Sequence, residues 1–313
     1  MSRLAIRRPP ALREGDTVAV VAPSGPVREE RIAEGLALLS GWGLEVVLGA
    51  DVYARHGYLA GTDERRGASL TAALTHPGVR GVVCARGGYG AQRIVDGLDM
   101  AAIGRDPKLV IGFSDITALH LALWRGARLA SVHGPVLTQL TDEFPAASLA
   151  SLRSAIMSGE PVVLTRDPEA ETGPVTVPGP AVTGTLLGGN LCLLSASLGT
   201  PDFPALDGAI LMIEEVEEPP YKVDRMLTQL RRSGMLRGLA GIALGQFTRC
   251  VDDWPMSIVD VLADRLGDLG VPVLGGLPVG HGAAARSVPV GVPATLNVAA
   301  GTLTVSPAVR ERD

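Results

Sequence analysis

The sequence predicts an α/β protein in two units joined by a linker, and three observations predict it. Short apolar runs alternate with helical periodicity from Asp16 to Trp124, the pattern of repeated β-α units on a doubly wound, mainly parallel sheet. From Thr165 to about Gly184 the chain is rich in Pro, Gly and Thr and has no long apolar face, so it reads as a linker. Strand and helix patterns then resume and close in a Val- and Gly-rich tail from Val271 to Ser306 that reads as short strands. The expected division is residues 1–164, a linker 165–183, and residues 184–313.

Asp16–Ala22 is an uninterrupted apolar run after its first residues, ended by Pro23-Ser24-Gly25-Pro26, and predicts a buried strand. Glu29–Trp42 has helical spacing with Gly43 placed to end it. Glu45–Leu48 predicts a second strand, Asp63–Thr75 a helix stopped by His76-Pro77-Gly78, and Val79–Cys84 a third strand. The turn Arg86-Gly87-Gly88-Tyr89-Gly90 follows, and Gln92–Leu98 predicts a helix. Leu109–Phe113 is the fourth strand and Asp115–Trp124 the next helix. After the linker, Thr185–Asn190 leads into an apolar helix, and Ala209–Ile213 is a strand ending at Glu214-Glu215. Val223–Ser233 is helical, Gly241–Phe247 a strand and Ile258–Leu266 a helix. No internal repeat or low-complexity tract is present.

Composition excludes several classes. Of 313 residues, 46% are hydrophobic and 19% charged, enough apolar material for a substantial core and too much for disorder. Aromatics are only 4%, so that core must be mostly Leu, Val, Ala and Ile. A net charge of −5 without a basic stripe argues against nucleic acid as a partner. Cys84, Cys192 and Cys250 are scattered and odd in number, with no spacing for zinc, which fits a cytosolic protein. Met1–Glu14 lacks the apolar segment of a signal peptide, and no apolar run is long enough to span a membrane.

The chemistry centres on Ser114, two residues beyond Gly112 at the end of an apolar strand and at the start of a helix. Free N–H groups and the helix dipole at such a turn favour negative charge, so a serine there can attack a carbonyl and have the oxyanion stabilised. The same position suits an ordinary helix N-cap, and the segment alone leaves both readings open. Among five histidines, His56 and His76 lie in loops, and His120 falls on a different helix face from Ser114. His133, at the end of a short apolar run, reads as a cleft-lining residue or, preferably, a structural one bonded to a buried carbonyl. His281 lies between glycines at a strand end, free to reach across a cleft or to be a plain loop residue. In Ile213-Glu214-Glu215-Val216-Glu217-Glu218, Glu214 is the carboxylate expected to be partly buried, and the other three read as a solvated acidic turn. The glycines of residues 86–90 can converge N–H groups on a small anionic oxygen. A nucleotide phosphate loop is the rival reading, but the third glycine of that fingerprint is missing.

With these residues in view, the chain resembles the LD-carboxypeptidase family of serine peptidases, which includes muramoyltetrapeptide carboxypeptidase. The resemblance covers nearly the whole chain and rests on Val21-Ala-Pro-Ser-Gly25, Arg86-Gly-Gly-Tyr-Gly-Ala91, Gly112-Phe-Ser-Asp115 and His133-Gly-Pro135. It continues through Gly184-Thr-Leu-Leu-Gly-Gly-Asn190, Ser197-Leu-Gly-Thr-Pro201, the segment Ile213–Leu227 and Gly280-His281. It implies a triad of nucleophile Ser114, orienting acid Glu214 and base His281, with the backbone N–H groups of Gly88 and Asp115 as oxyanion donors. It also implies an amino-terminal α/β domain carrying the serine and a β-rich carboxy-terminal α/β domain carrying Glu214 and His281, with the active site in the cleft between them. A cytoplasmic homodimer without metal or organic cofactor is implied too. The implied reaction removes D-alanine from a murein tetrapeptide.

A branch of the same family inactivates peptide–nucleotide antibiotics of the microcin C type, and that is the first alternative. The segment from Val216 to Leu227 looks closer to the murein branch, while Glu215, where Asp is common, and Glu217 depart from the pattern beside the cleft. The second alternative is a non-catalytic module that binds an anion or nucleotide at Gly87-Gly88; it requires Glu214 and His281 to lie far from Ser114.

Overall fold

The computed structural model describes residues 5–312. Residues 1–4, part of the segment read above for an export signal, and Asp313 lie outside them. The first sheet holds β1 (Thr17–Val21), β2 (Glu45–Leu48), β3 (Val79–Cys84), β4 (Leu109–Gly112) and β5 (Ser131–His133). These run parallel in the order β2-β1-β3-β4-β5, so the order reverses between β1 and β3. Ligands of open parallel sheets bind at such a switch point, outside the carboxyl ends of the strands. α1 (Ala33–Gly41), α2 (Asp63–Thr75), α3 (Met100–Arg105) and α4 (Thr117–Ala127) are the crossover helices. β1 and β3 to β5 are almost wholly buried, as strands covered on both faces must be.

α5 (Ala146–Met157) leads to the second sheet, whose strands are β6 (Val162–Thr165), β7 (Val182–Asn190), β8 (Ile210–Val216), β9 (Gly241–Thr248) and β10 (Val273–Leu274). α6 (Leu191–Ala196), α7 (Pro220–Arg232) and α8 (Ile258–Leu266) cover one face of it. The tail supplies β11 (Val288–Val290), β12 (Val292–Asn297) and β13 (Thr302–Val305). Their order with the others is β10-β9-β8-β7-β12-β13-β6; β7 to β10 are parallel and β12, β13 and β6 antiparallel.

Sheet membership crosses the expected division at both ends. Residues 162–165 form the edge of the second sheet, and β11 returns to pair antiparallel with β5 on the first. One apolar core is continuous through both sheets, with Val20, Ile111 and Val132 of the first beside Leu186, Ile210 and Met212 of the second. The two-unit α/β reading holds, with this exchange of a strand added to it.

The predicted helix over Gln92–Leu98 is absent. The chain instead makes two 3-10 turns, 91–93 and 95–97. The entry to this segment is fixed from outside: the Arg66 guanidinium donates to the Gly90 carbonyl at 2.8 Å, and the Ala91 N–H donates to Asp115 Oδ2 at 2.8 Å. The Gly90 and Ala91 carbonyls then accept from the Arg93 and Ile94 N–H groups at 3.2 and 3.1 Å, the spacing of a 3-10 turn. The predicted helix after β4 opens with a 3-10 turn, 114–116, before α4 begins at Thr117.

Candidate active site

Three loops at the carboxyl ends of β1, β3 and β4 meet around one buried carboxylate. Asp115 accepts from the Ser24 hydroxyl at 2.6 Å and from the Ala91 N–H at 2.8 Å. Burial raises its pKa, and these hydrogen bonds oppose the rise. Arg66, fully buried on α2, donates to the carbonyls of Pro23 and Gly90 and pairs with Asp63, which braces the first two loops from behind. Neither tie is visible in the sequence, where Arg66 looks like a surface helix residue and Asp115 offers only its backbone N–H.

Ser114 stands on this platform at φ +63°, left-handed backbone for a residue with a Cβ. Such a conformation costs about 1–3 kcal/mol and persists only where its surroundings enforce it. Here the Ile116 N–H to Phe113 carbonyl bond closes the turn at 3.2 Å, and Asp115 anchors the next side chain. The N-cap reading is corrected: Phe113 and Ile116 occupy the capping positions, and no side chain caps either helical segment. The serine is therefore displayed rather than engaged. A methyl group on Gly87 would come within 3.2 Å of Ser114 Cβ and 3.4 Å of its Oγ, so the glycine turn after β3 is what lets that loop approach the hydroxyl.

The second sheet contributes Glu214 and His281. β8 carries Glu214 near its carboxyl end, wholly buried rather than partly so. The pairing with β9 shifts register between Ile213 and Glu215, so that Gly245 and Gln246 together face Glu214. Glu214 Oε2 lies 2.7 Å from His281 Nδ1. Gly280, at φ +115°, makes this possible, because a Cβ there would fall 2.6 Å from the same carboxylate oxygen. The Gly282 N–H donates to Gln246 Oε1 at 3.1 Å, which ties the histidine loop to β9. The His281 ring packs on Phe113, the residue before Ser114, with centroids 4.5 Å apart. The non-catalytic reading required these residues to be remote from Ser114, and the packing of His281 on the neighbouring Phe113 counts against it.

Glu215 corrects the expected acidic turn. It is 2% exposed and accepts from Asn190 Nδ2 at 2.7 Å and from the N–H groups of Cys192 at 2.7 Å and Val216 at 2.9 Å. Burial nevertheless pushes its pKa up to about 6. Asn190 also caps α6, and its N–H donates to Thr117 Oγ1 at 3.0 Å, so Glu215 helps hold the second sheet against the first turn of α4. Glu217 is exposed and paired with Arg249, as a solvated turn predicts, whereas Glu218 is partly buried and pairs with Lys222.

The remaining histidines sort cleanly. His56 and His76 are exposed in turns. His120 Nε2 meets the Gly112 carbonyl and Nδ1 the Ser131 hydroxyl, both at 2.8 Å, and burial lowers its pKa to about 4. His133 is not bonded to a carbonyl as expected. It is 1% exposed, neither ring nitrogen has a partner, and burial holds its pKa well below the usual value. It lines a small cavity of about 20 Å³ with Phe113 and Gly280, room for a single water. Among the described residues, no group of three or more His, Cys, Asp or Glu could hold a metal, and no helix is long and apolar enough to cross a membrane.

A serine on a strained strand-to-helix turn, and a carboxylate–imidazole pair whose ring packs on the residue before that serine, are the kinds of group a serine-type hydrolase on an α/β scaffold uses. Residues 18–134 match the LD-carboxypeptidase N-terminal domain and residues 183–296 the LD-carboxypeptidase C-terminal domain. The chain belongs to the LD-carboxypeptidase family. It is 46% identical over 304 residues to a protein of Streptomyces coelicolor named as a carboxypeptidase, covering 95% of this chain and 96% of that one. It is 36% identical over 291 residues to the murein tetrapeptide carboxypeptidase of Pseudomonas aeruginosa, covering 89% and 92%. Its fold matches the crystal structure of muramoyltetrapeptide carboxypeptidase from Oxalobacter formigenes with a TM-score of 0.83 at 31% identity, covering 94% and 100%. The microcin C7 self immunity protein MccF shares the fold, with a TM-score of 0.86 at 22% identity, covering 96% and 98%.

Proposed function

We propose that this carboxypeptidase releases the terminal D-alanine from murein tetrapeptides through an acyl-enzyme. The observation that carries the proposal is the 2.7 Å pairing of Glu214 with His281, from the second half of the chain, against the turn that displays Ser114 from the first. Ser114 Oγ attacks the scissile carbonyl while His281 takes its proton, and Glu214 holds the tautomer and stabilises the imidazolium. The N–H groups of Gly88 and Asp115 receive the oxyanion. Collapse breaks the C–N bond, and the amine of D-alanine leaves with the proton from His281. Water, deprotonated by His281, then cleaves the ester and restores Ser114.

Relatives at 36–46% identity over most of the chain support the reaction class, and one of them is named for the murein tetrapeptide. The same reading places the nucleophile in residues 1–164 and the acid and base in residues 184–313, joined by 165–183, in a cytoplasmic homodimer. The two domain matches support the division, and the family resemblance supports the rest.

The test is incubation with an L-Ala-D-Glu-diaminopimelate-D-Ala tetrapeptide followed by mass spectrometry. Loss of one D-alanine, abolished by Ser114→Ala and by His281→Ala, is the expected result. Intact tetrapeptide alongside cleavage of an aminoacyl sulfamoyl adenosine would move the substrate to the nucleotide conjugates.

A further inference from the structure

The loops after β1 and β3 and the hairpin around His56–Leu59 enclose a cleft of about 600 Å³ that the catalytic reading leaves unused. Its walls are Gly25, Arg55, Tyr58, Arg86, Gly88 and Tyr89, with no carboxylate among the lining residues. It opens at the β1/β3 switch point of the first sheet. Gly88 borders it directly, and a Cβ added to the adjacent Gly87 would meet Ser114 at 3.2 Å, so the cleft begins beside the serine turn.

The charge is unusual for this molecule. The chain carries a net −5, yet two guanidinium groups face this cleft and neither forms an ion pair among the described residues. Each is held by one backbone carbonyl, Arg86 Nη1 to Pro26 at 3.0 Å and Arg55 Nε to Gly57 at 3.3 Å. The other N–H groups of each fork stay available, and a carboxylate is the group that an arginine fork fits best. Tyr58 and Tyr89 stand beside them, 66% and 46% exposed, with ring centroids 5.8 Å apart. Exposed tyrosines at a cleft offer stiff apolar faces with a polar tip, a surface suited to peptide.

We infer that this cleft binds the acyl portion of the peptide substrate, with Arg55 and Arg86 holding its carboxylates and Tyr58 and Tyr89 its backbone and aliphatic stems. The inference rests on the carboxypeptidase reading above. The cleft is open to solvent and, at about 600 Å³, broad enough for a peptide rather than a single alanine, which favours the acyl side of the scissile bond.

Calorimetric binding of the tripeptide product tests this without requiring turnover. The probes are L-Ala-D-Glu-diaminopimelate, the same tripeptide with its D-Glu α-carboxylate and distal diaminopimelate carboxylate amidated, and free D-alanine. The proteins are the wild type, Arg55→Ala, and Arg86→Lys, which keeps a donor for Pro26. Arg55→Ala is expected to weaken tripeptide binding about tenfold, as loss of an exposed charge-assisted contact does. Amidation of the tripeptide should weaken wild-type binding similarly, and the two losses should not add. Unchanged affinity in both variants, or additive losses, overturns the inference. Binding of free D-alanine that depends on Arg55 also overturns it, because the cleft would then hold the leaving group. Failure of the carboxypeptidase reading shows separately, as no D-alanine release by the wild type from the tetrapeptide.

Discussion

The two halves of the site are built by opposite means. On the first sheet, Ser114 is aimed by backbone: a positive φ, a glycine neighbour, and loops tied through Asp115 and Arg66. On the second, Glu214 and His281 are aimed by a hydrogen bond from a buried carboxylate, a glycine at positive φ and a register shift in β8/β9. A half set by backbone geometry should resist added atoms, while its loops still depend on Asp115 and Arg66. A half built on a buried hydrogen-bonded carboxylate should respond to isosteric replacement, and Glu215 beside it to protons.

The largest effect breaks the first half chemically. Ser114→Ala should lower D-alanine release by a factor of about 10³ or more while the thermal midpoint stays near wild type, because the hydroxyl makes no capping bond. Glu214→Gln keeps shape and removes charge; turnover should fall by about 10³–10⁴ with the fold retained, measured by the same release assay and by circular dichroism. Retained turnover would mean that the imidazole is oriented by packing on Phe113 alone.

Gly280→Ala tests backbone inside the second half. It places a methyl against Glu214 and forces an alanine to φ +115°, at a cost of about 1–3 kcal/mol in denaturant unfolding and with reduced turnover.

Glu215 tests the proton sensitivity. Its folded pKa of about 6 lies above the ordinary 4.5, so the folded state binds more protons than the unfolded state between those values. Stability should therefore fall by about 2 kcal/mol in total, starting about one unit below pH 4.5 and finishing about one unit above pH 6, with a steepest slope of about 1 kcal/mol per unit between them. Unfolding measured across that window should show this slope in the wild type and lose it in Glu215→Gln. Equal slopes would show that the carboxylate is not desolvated as its burial requires. The smallest effect belongs to Glu217→Ala, which removes an exposed pair with Arg249 and should change stability by less than about 0.5 kcal/mol.

The same contrast explains what the amino-acid order shows directly. The strand-to-helix turn at Ser114 is legible because an apolar run, a glycine and a helical pattern are all local. Ile258–Leu266 is predicted to the residue, since Ser257 caps it and the apolar spacing starts at once. The helix expected over Gln92–Leu98 gives way to two 3-10 turns, and the contacts of Arg66 and Asp115 that fix the chain just before them come from more than twenty residues away. Periodicity passes over α3 and α5, although Asp99 caps the first and Pro145 precedes the second. Glu215 could not be separated from its acidic neighbours, because its partners lie on α6 and on the residue that caps it. Glu214 and His281 were singled out by strand-end position and resemblance; their pairing depends on glycines and a register shift that local pattern does not carry.

β11 gives the molecule a further property. His281 rides on the segment that leaves the second sheet at β10 and enters the first at β11. Each sheet is thus completed by chain from the other side of the linker, like two pages stitched by one thread. Neither half can unfold without baring an edge of its neighbour, so melting should be a single transition despite two family domains. The stitch also limits how far the imidazole can swing from Ser114, since both ends of its loop are anchored in different sheets. A chain cut between Gly282 and Ser287 would keep every proposed catalytic side chain and lose that restraint.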